Sequence, residues 1–521
     1  RVDLVYPFLP VPDAVLEPEL ALGYDGALAE AESFWKRELA TPTRIQVSEP
    51  LLQGWIDQLP RLSAMIAQKH PANGTYGLPS GSHHYEAIWP TPMALQAYAL
   101  DSLGYGAEVD KYLEPFRLNQ GRNKPPSPHL DLHPGYIGAP KELTGIDWIT
   151  DHAAILWAAV NHARFSADPD FIRRWTPAIE RAGQFTLDAR RVRVRGCFPG
   201  ILPPAVTNDC GWCLQTIWNN AWHHKALRAA GHFLVQAGRP AGRLFLREAD
   251  AYRTAFQQAY RRVVAQSATW RAANGDRIPF TPPTLQKARG REAGHAFSLD
   301  CGALVLVFGE LFPADDPLLD AALRWFREGP QWRIFRRFSS EWQSPVLDHE
   351  LSSCEPCYSW NIFISLARGD RAAFTQGFYS LFAAGACRQN FVACETRDGV
   401  SGNCFTHGTA LLLWRKTLVD EEGSDLHLLR MAPLAYFDAP GLEIRQLPTA
   451  FGPISLAAHW DPAAGRFRCR LIPPPRPGWK HLRLHLPPLP GLRDVTLNGQ
   501  RHSPDLAEIV RSEERRVGKE C

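Results

Sequence analysis

The feature that most constrains this chain is a helical periodicity whose connections alternate between short and long. Apolar residues at helical spacing predict helices over 27–40, 50–69, 91–104, 106–120, 150–167, 169–190, 217–238, 241–267, 298–311, 315–328, 358–368, 370–388 and 406–418. Short joints such as Gly104-Tyr105-Gly106 make antiparallel hairpins. Six long loops separate these hairpins, at roughly 70–90, 121–149, 191–216, 268–297, 329–357 and 389–405. After the first helix, the pairing brings all six loops to one end, which predicts an (α/α)6 toroid with a loop-lined cavity.

A second pattern begins after residue 418, where apolar residues alternate with polar ones. Strands are predicted over 426–431, 442–447, 454–460, 466–472, 481–486 and 494–498, separated by Pro/Gly clusters. The predicted class is therefore mainly α, with a barrel domain over 27–420 and a small, truncated C-terminal β-sandwich over 421–510. Residues 1–26 are predicted to be extended, as the end of a preceding β domain or as a strand added to the sandwich. Residues 511–521, RSEERRVGKEC, resemble a translated sequencing adapter and are left out of the fold prediction.

Charge and hydropathy argue against several classes of partner. The net charge is only +3, without a long Lys/Arg block, which disfavours nucleic acid and a membrane surface as partners. No apolar run reaches the ~18 residues of a spanning helix. The eleven cysteines are odd in number and scattered, which favours a reducing, cytoplasmic compartment. Because the chain begins at Arg1 and not at Met, secretion stays open.

Seventeen tryptophans are a surplus for a core of this size. Tryptophans in loops offer flat apolar faces on which sugar rings stack, whereas tryptophans at helical spacing are typical of a core. The loop tryptophans Trp89, Trp148, Trp212 and Trp342 are therefore predicted to contact substrate. Trp325 and Trp414 are predicted to be buried.

Carboxylates in the long loops are the candidates for proton transfer. Asp209 is the one acidic residue of the third loop and precedes Trp212, and Glu395 lies in the sixth loop. In a six-hairpin ring these two loops face each other, so a glycosidic bond between them would have a carboxyl group on each side. Asp209 is also a good helix cap, and Glu395 has Arg397 as a potential ion-pair partner. Reserve candidates are Asp147, Glu341 and Glu355.

Two other groups of residues have a chemical interpretation and a structural one. Cys210/Cys213 and Cys354/Cys357 have zinc-site spacing, but about 140 residues separate the pairs, which favours free cysteines in apolar niches. His83, His84 and His407 could bind sugar hydroxyl groups or satisfy buried backbone groups. No nucleotide-binding, serine-hydrolase or zincin motif occurs in a fitting context, and no cofactor is predicted.

Four segments resemble the six-hairpin glycosidases, (α/α)6-barrel hydrolases that often carry β-sandwich domains. They are YEAIWPTPMALQAYALDSLGYGAEVDKYLEPFRLNQ (85–120), GCFPGILPPAVTNDCGWCLQTIWNNAWHHKAL (196–227), ACETRDGVSGNCFTHGTALLLW (393–414) and PLAYFDAPGLEIRQLPTAFGPISL (433–456). The resemblance implies an inverting hydrolase with Asp209 as general acid and Glu395 as general base. Many members have Arg-Asp after the Trp-Pro of the first segment, where this chain has Thr91-Pro92, so its sugar pocket is expected to differ.

The expected function is hydrolysis of a glycosidic bond in an oligosaccharide or glycan. A polysaccharide lyase or a glycoside phosphorylase on the same toroid is the alternative enzyme. A glycan-binding protein without catalysis is the alternative from another class.

Overall fold

The computed structural model describes residues 12–38, 40–81, 85–143, 145–207, 212–286, 302–328, 359–385, 387, 389, 391–393, 404–489, 495–497, 500–502 and 508–512. The chain forms two compact units, residues 1–42 and 43–521. The helical region and the strands after residue 418 belong to the same unit. None of the described helices is both long and apolar enough to cross a bilayer.

The first unit contains helix α1, Asp13–Glu38. The prediction of extended chain up to residue 26 is therefore wrong for residues 13–26. Prolines suggested an extended segment, but Pro12 precedes the helix and α1 accommodates Pro18, because the surrounding residues are rich in Ala, Leu and Glu, which favour helix. Gly23, with φ 60° and ψ 177°, interrupts the helical conformation inside α1.

The second unit contains the helices of the toroid. Within the described residues they are α2 (Pro50–Ile66), α3 (Pro90–Ser102), α4 (Gly106–Asn119), α5 (Ile149–Ser166), α6 (Pro169–Arg191), α7 (Ile217–Gln236), α8 (Ala241–Ala265), α9 (Pro317–Glu328), α10 (Asn361–Arg368), α11 (Arg371–Gly385) and α12 (Cys404–Leu418). Helices α3, α5 and α7 contact one another in sequence, and α12 contacts α3. A short 3-10 helix, Ala303–Leu306, contacts both α7 and α10. The predicted toroid is confirmed.

Burial separates an inner ring of helices from an outer one. Every residue of α3 is buried, and so is every residue of α5 except Arg164 and Ser166. In contrast, α6 buries one face, with Phe171, Trp175 and Ile179 at helical spacing, and leaves its charged face in water. An inner helix packs on all sides, whereas an outer helix needs only one apolar stripe. Trp325 and Trp414 are buried as predicted.

The predicted helix over 298–311 is wrong in its described part, because residues 303–306 form only a 3-10 helix. Gly309 explains the early end. A Cβ at this position would lie 2.6 Å from the Cβ of Ala221 in α7, so the backbone approaches α7 closely. Glu310 then takes a left-handed conformation, with φ 58°, which ends any helix there.

The strands after α12 form two four-stranded sheets. One has the order β1 (Arg44–Gln46), β10 (Leu442–Leu447), β11 (Ile454–Asp461) and β12 (Arg466–Ile472). The other has the order β16 (Glu508–Ser512), β13 (His481–His485), β9 (Asp425–Leu428) and β8 (Val419–Glu422). Further two-stranded pairs are β2 (Gln68–Lys69) with β3 (Tyr76–Gly77), β4 (Ala205–Val206) with β5 (Cys213–Leu214), β6 (Thr269–Arg271) with β7 (Arg277–Pro279), and β14 (Val495–Leu497) with β15 (Gln500–His502).

Three strands lie wholly or partly outside the predicted limits of the β-sandwich, residues 421–510. Strand β1 precedes the toroid in sequence, yet it pairs antiparallel with β10. Strand β16 pairs with β13 and includes Arg511 and Ser512, which belong to the segment that resembles an adapter. Strand β8 also crosses the predicted boundary at residue 420.

Two arginines, Arg415, which is buried, and Arg476, which is half-buried, attach the strands after residue 418 to the helices. The guanidinium of Arg415 in α12 donates to the carbonyl oxygens of Val419 and Pro448, both at 2.9 Å, and to Glu421 at 3.0 Å. Arg476 donates to the carbonyl oxygens of Arg164 and Phe165, the end of α5. The helices and the strands therefore share buried and half-buried polar contacts and not only a covalent link.

Candidate functional site

The long loops are joined to one another around one end of the toroid. Between the first and second loops, Ile146 N–H donates to the Ile88 carbonyl at 3.0 Å. Between the second and third, the Ser127 hydroxyl donates to the Pro204 carbonyl at 2.6 Å. Between the third and fourth, the Leu285 N–H donates to the Gln215 carbonyl at 2.9 Å. The described parts of the first four long loops therefore form a continuous wall at the N-terminal ends of α3, α5 and α7.

Three of the predicted platform tryptophans lie at this wall. Trp89 and Trp148 are the residues directly before α3 and α5, and Trp212 precedes α7 by five positions. Each is half-buried, whereas Trp175, Trp222 and most other described tryptophans are buried. Side chains of this kind keep part of the indole ring fixed by packing and leave the remainder open to a ligand. Trp342 lies outside the described residues.

Asp151, in the first turn of α5, ties two inner helices together. Its Oδ1 accepts hydrogen bonds from the Thr91 N–H at 3.1 Å and the Thr91 hydroxyl at 2.7 Å. Its Oδ2 accepts from the Trp148 N–H at 2.7 Å. Burial raises the pKa of this carboxyl to about 8, although the hydrogen bonds from Thr91 and Trp148 act in the opposite direction. Thr91 thus fixes the chain beside Trp89.

A second link joins α5 to α7. The Thr150 hydroxyl donates to Asn219 Oδ1 at 2.7 Å, and both side chains are buried. His223, one turn further along α7, lies 2.9 Å from the Ile149 carbonyl oxygen through Nε2. Side-chain hydrogen bonds therefore hold the N-terminal ends of α5 and α7 together, in addition to the contacts between the loops.

Asp147, a reserve catalytic candidate, has most of its acceptor positions in use. Its Oδ1 accepts from the Tyr136 hydroxyl at 3.1 Å and from the Ala139 N–H at 2.9 Å. Its Oδ2 accepts from Asn123 at 3.0 Å and lies 3.6 Å from Lys141. This arrangement organises the second loop, and the role of Asp147 in proton transfer stays an untested prediction.

The segment that carries Asp209 has fixed ends. Strands β4 and β5 form a two-stranded hairpin, and the Thr207 N–H donates to the Trp212 carbonyl at 3.0 Å. Gln215, at the base of this hairpin, donates through Nε2 to the carbonyl oxygens of Phe198 and Leu202. Residues 208–211, Asp209 among them, lie outside the described residues.

The approach to Glu395 has fixed residues as well. His407, in the first turn of α12, lies 2.9 Å from the Phe391 carbonyl oxygen through Nε2 and packs against Trp55. Phe391 has φ 58°, and a Cβ on Gly54 of α2 would lie 2.5 Å from its ring. His407 is fully buried, and burial lowers its pKa to about 4. Its predicted contact with sugar hydroxyls stays untested, while its observed contact is with the backbone before Glu395.

Several predicted residues lie outside the described part of the chain, in addition to Asp209 and Trp342. They are His83, His84, Glu341, Glu355, Glu395, Cys210, Cys354 and Cys357. Of the four predicted zinc ligands only Cys213 is described, and burial raises the pKa of its thiol. Within the described ranges no group of three or more His, Cys, Asp or Glu side chains is arranged to hold a metal ion.

Sequence reasoning missed Asp151, Thr150 and Asn219, and it named Thr91 without its hydrogen bonds to Asp151. A signal for Asp151 was present, because it stands at the third helical position after Trp148, where an acidic side chain caps the helix. The link from Thr150 to Asn219 joins residues 69 positions apart and has no local signal.

Comparison with solved structures supports the architecture. One match is a GH78 family rhamnosidase of Bacillus sp. GL1, with a TM-score of 0.50 and 13% identity over 83% of this chain and 42% of that one. Another is an alpha-L-rhamnosidase of Dictyoglumus thermophilum, with a TM-score of 0.50 and 12% identity over 88% of this chain and 47% of that one. This chain has the fold of the six-hairpin glycosidases. It spans less than half the length of these two structures. No family model matches the sequence, and no curated protein matches it.

Proposed function

We propose that this chain is a glycoside hydrolase that inverts the anomeric carbon, with Asp209 as the acid and Glu395 as the base. The observation that carries the proposal is the wall of joined long loops, at which half-buried Trp89, Trp148 and Trp212 precede three inner helices. The fold shared with two rhamnosidases supports it.

The proposed reaction needs two carboxyl groups on opposite sides of the scissile bond. Asp209 protonates the glycosidic oxygen as it leaves, and Glu395 removes a proton from the water that attacks the anomeric carbon from the other face. An inverting arrangement requires a separation of about 6.5–9.5 Å between the two groups, which leaves room for the water. The described residues contribute the two anchors, the hairpin below Asp209 and the contact of His407 with Phe391 before Glu395.

The tryptophans bind the sugar rings in this proposal. An indole face covers the apolar C–H face of a sugar, and neighbouring polar groups bind its hydroxyls. His83 and His84 stay candidates for hydroxyl binding, and Trp342 for a further platform. In six-hairpin glycosidases with Arg-Asp at this position, charged side chains bind the terminal sugar. In this chain Thr91 donates to Asp151 instead, and we infer a less polar sugar pocket.

The test is a screen of aryl glycosides, α-L-rhamnosides included, and of oligosaccharides, with the product anomer followed by NMR. Wild type is compared with Asp209→Asn and Glu395→Gln. The matched controls are Asp131→Asn and Glu142→Gln, which change exposed carboxylates of the second long loop. We expect each catalytic variant to lose at least about 100-fold in kcat, and each control to keep wild-type activity.

Other results would contradict the proposal in distinct ways. Unsaturated products that absorb in the near ultraviolet would indicate a lyase, and a requirement for phosphate would indicate a phosphorylase. Glycan binding without cleavage, equal in wild type and Glu395→Gln, would indicate a binding protein. A retained anomer would leave a hydrolase but reject inversion.

A further inference from the structure

We infer that the outward face of the sheet β1-β10-β11-β12 binds the anionic groups of an acidic polysaccharide. The face is formed by five exposed arginines, which we call the arginine face: Arg44, Arg445, Arg466, Arg468 and Arg470. The choice of a glycan as the polyanion rests on the proposed function, whereas the charge of the face does not.

The strand register places these side chains on one side of the sheet. In β12 the arginines alternate with Phe467, Cys469 and Leu471, which pack against the core. Side chains two positions apart on a strand point to the same face at about 6.8 Å spacing, so β12 presents a straight row of three guanidinium groups. Arg44 lies directly opposite Arg445 in the pairing of β1 with β10.

The opposite face of the same strands is apolar. Leu442, Ile444, Leu456, Ala458 and Trp460 are all buried. This burial fixes the direction of the arginines, because a shift by one residue would put every guanidinium into the core. The row is therefore a property of the fold and not of flexible side chains alone.

The charge on this face is not balanced locally. Glu443 and Asp461 are the carboxylates of the same face, and Glu443 pairs with Arg445. Within the described part of the chain, no ion pair holds Arg44, Arg466, Arg468 or Arg470. The five arginines and two carboxylates leave a surplus of three positive charges, as large as the net charge of all 521 residues. Positive charge is thus concentrated here, which favours a polyanion.

A second explanation for charged side chains on β12 is protection of a sheet edge. β12 is the last strand of its sheet, and charges on such a strand prevent pairing with other chains. That role applies to β1 as well, which is the other edge strand of the sheet, but it needs only charge of either sign. Reversing the sign therefore separates the two explanations.

The experiment measures binding of the full chain to polygalacturonate, to dextran sulfate, to uncharged dextran and to duplex DNA, at low and high salt. Arg468→Glu/Arg470→Glu reverses two charges of the row and keeps the edge charged. The matched control is Arg243→Glu/Arg247→Glu, which makes the same charge change on the exposed side of α8, one helical turn apart. Thermal unfolding of each variant verifies folding.

We expect wild type to bind one or both anionic polymers, with an affinity that falls as salt rises, and not to bind dextran. The β12 variant should bind about tenfold more weakly, while the α8 variant keeps wild-type affinity. Preference for polygalacturonate would identify carboxylates as the ligand, and preference for dextran sulfate would identify sulfate esters.

Three outcomes would overturn the inference: no binding to either polymer, equal loss in both variants, or tighter binding to duplex DNA than to both glycans. Failure of the proposed function is distinguishable, since loss of hydrolysis in the screen above does not alter binding at this face. Conversely, the β12 variant should cleave small uncharged glycosides at the wild-type rate.

Discussion

At the scale of single residues, three histidines make the fold sensitive to acid. His223, His224 and His407 are fully buried, and burial lowers the pKa of each to about 4 from 6.5. The unfolded chain therefore binds protons that the folded chain does not between pH 6.5 and about 4, and stability falls as pH decreases through that window. Full protonation of one such histidine should lower the free energy of unfolding by about 3 kcal/mol.

The measurement is the free energy of unfolding in urea between pH 7 and pH 4. His407→Gln should show a shallower loss on acidification than wild type, because the variant has one buried imidazole fewer. His129→Gln, which changes an exposed histidine, should reproduce the wild-type slope. Parallel slopes for His407→Gln and wild type would contradict this account.

The pair of Arg415 and Glu421 supports a second prediction at this scale. Their side chains are 1% and 8% exposed, and Arg415 also satisfies two carbonyl oxygens. Arg415→Met leaves the Glu421 carboxylate buried without its partner, so we expect a loss of about 3–5 kcal/mol in unfolding free energy. Arg173→Met, at an exposed pair with Asp170, should cost less than about 1 kcal/mol.

At the scale of elements, Asp151 connects the first turns of α3 and α5. Burial raises the pKa of its carboxyl to about 8 in the folded state, whereas the unfolded chain loses this proton near pH 4. The free energy of unfolding therefore falls as pH rises from about 4 to about 8. Asn cannot ionise, so the stability of Asp151→Asn relative to that of wild type should rise with pH across this range. At pH 5 the variant should be the less stable one, since its amide cannot accept from both Thr91 and the Trp148 N–H. A difference between the two proteins that is independent of pH would reject the argument.

The contact of α2 with the sixth loop gives another prediction. A methyl group on Gly54 would lie 2.5 Å from the Phe391 ring, a distance that requires the ring to move. Gly54→Ala should therefore lower the proposed glycosidase activity by displacing the segment before Glu395, although Ala favours the helix itself. Gly106→Ala in α4, where a Cβ has ordinary contacts at 3.5 Å, is the control and should keep full activity. Equal activity of the two variants would show that Phe391 does not position the loop.

At the scale of the whole molecule, periodicity predicted the toroid because each hairpin is a local unit with clear stop signals. Most described helices and strands lie within a few residues of their predicted limits, and β10 and β12 have the predicted limits. Sequence reasoning failed where distant residues decide the structure. Strand β1 is three residues long and gains its identity by pairing with β10, about 400 positions away. The joining of the loops by Ile88, Ser127 and Gln215 likewise depends on partners that no local pattern reveals.

For the candidate site as well, some features could be predicted from the sequence and others could not. The position of Trp89, Trp148 and Trp212 outside the helices could be predicted from the helical pattern, whereas their contact with substrate stays a prediction. The supports of the site, such as Asp151 with Thr91, could not, because their function is to satisfy backbone groups of a neighbouring helix. Asp209 and Glu395 stay predictions from loop position and resemblance.

The last prediction concerns how the toroid and the β-sandwich unfold. Both lie in one compact unit, and Arg476 donates to the carbonyl oxygens of Arg164 and Phe165 in the toroid and of Thr449 in the sandwich. β1 precedes the toroid in sequence but pairs with β10, so a segment from before the toroid forms the edge of a sheet in the sandwich. We expect a single calorimetric transition, and we expect a chain that ends after Leu418 to lose it, because Arg415 and β1 would then lack their partners. Two separate transitions, or a truncated chain with an unchanged melting temperature, would mean that the regions fold independently.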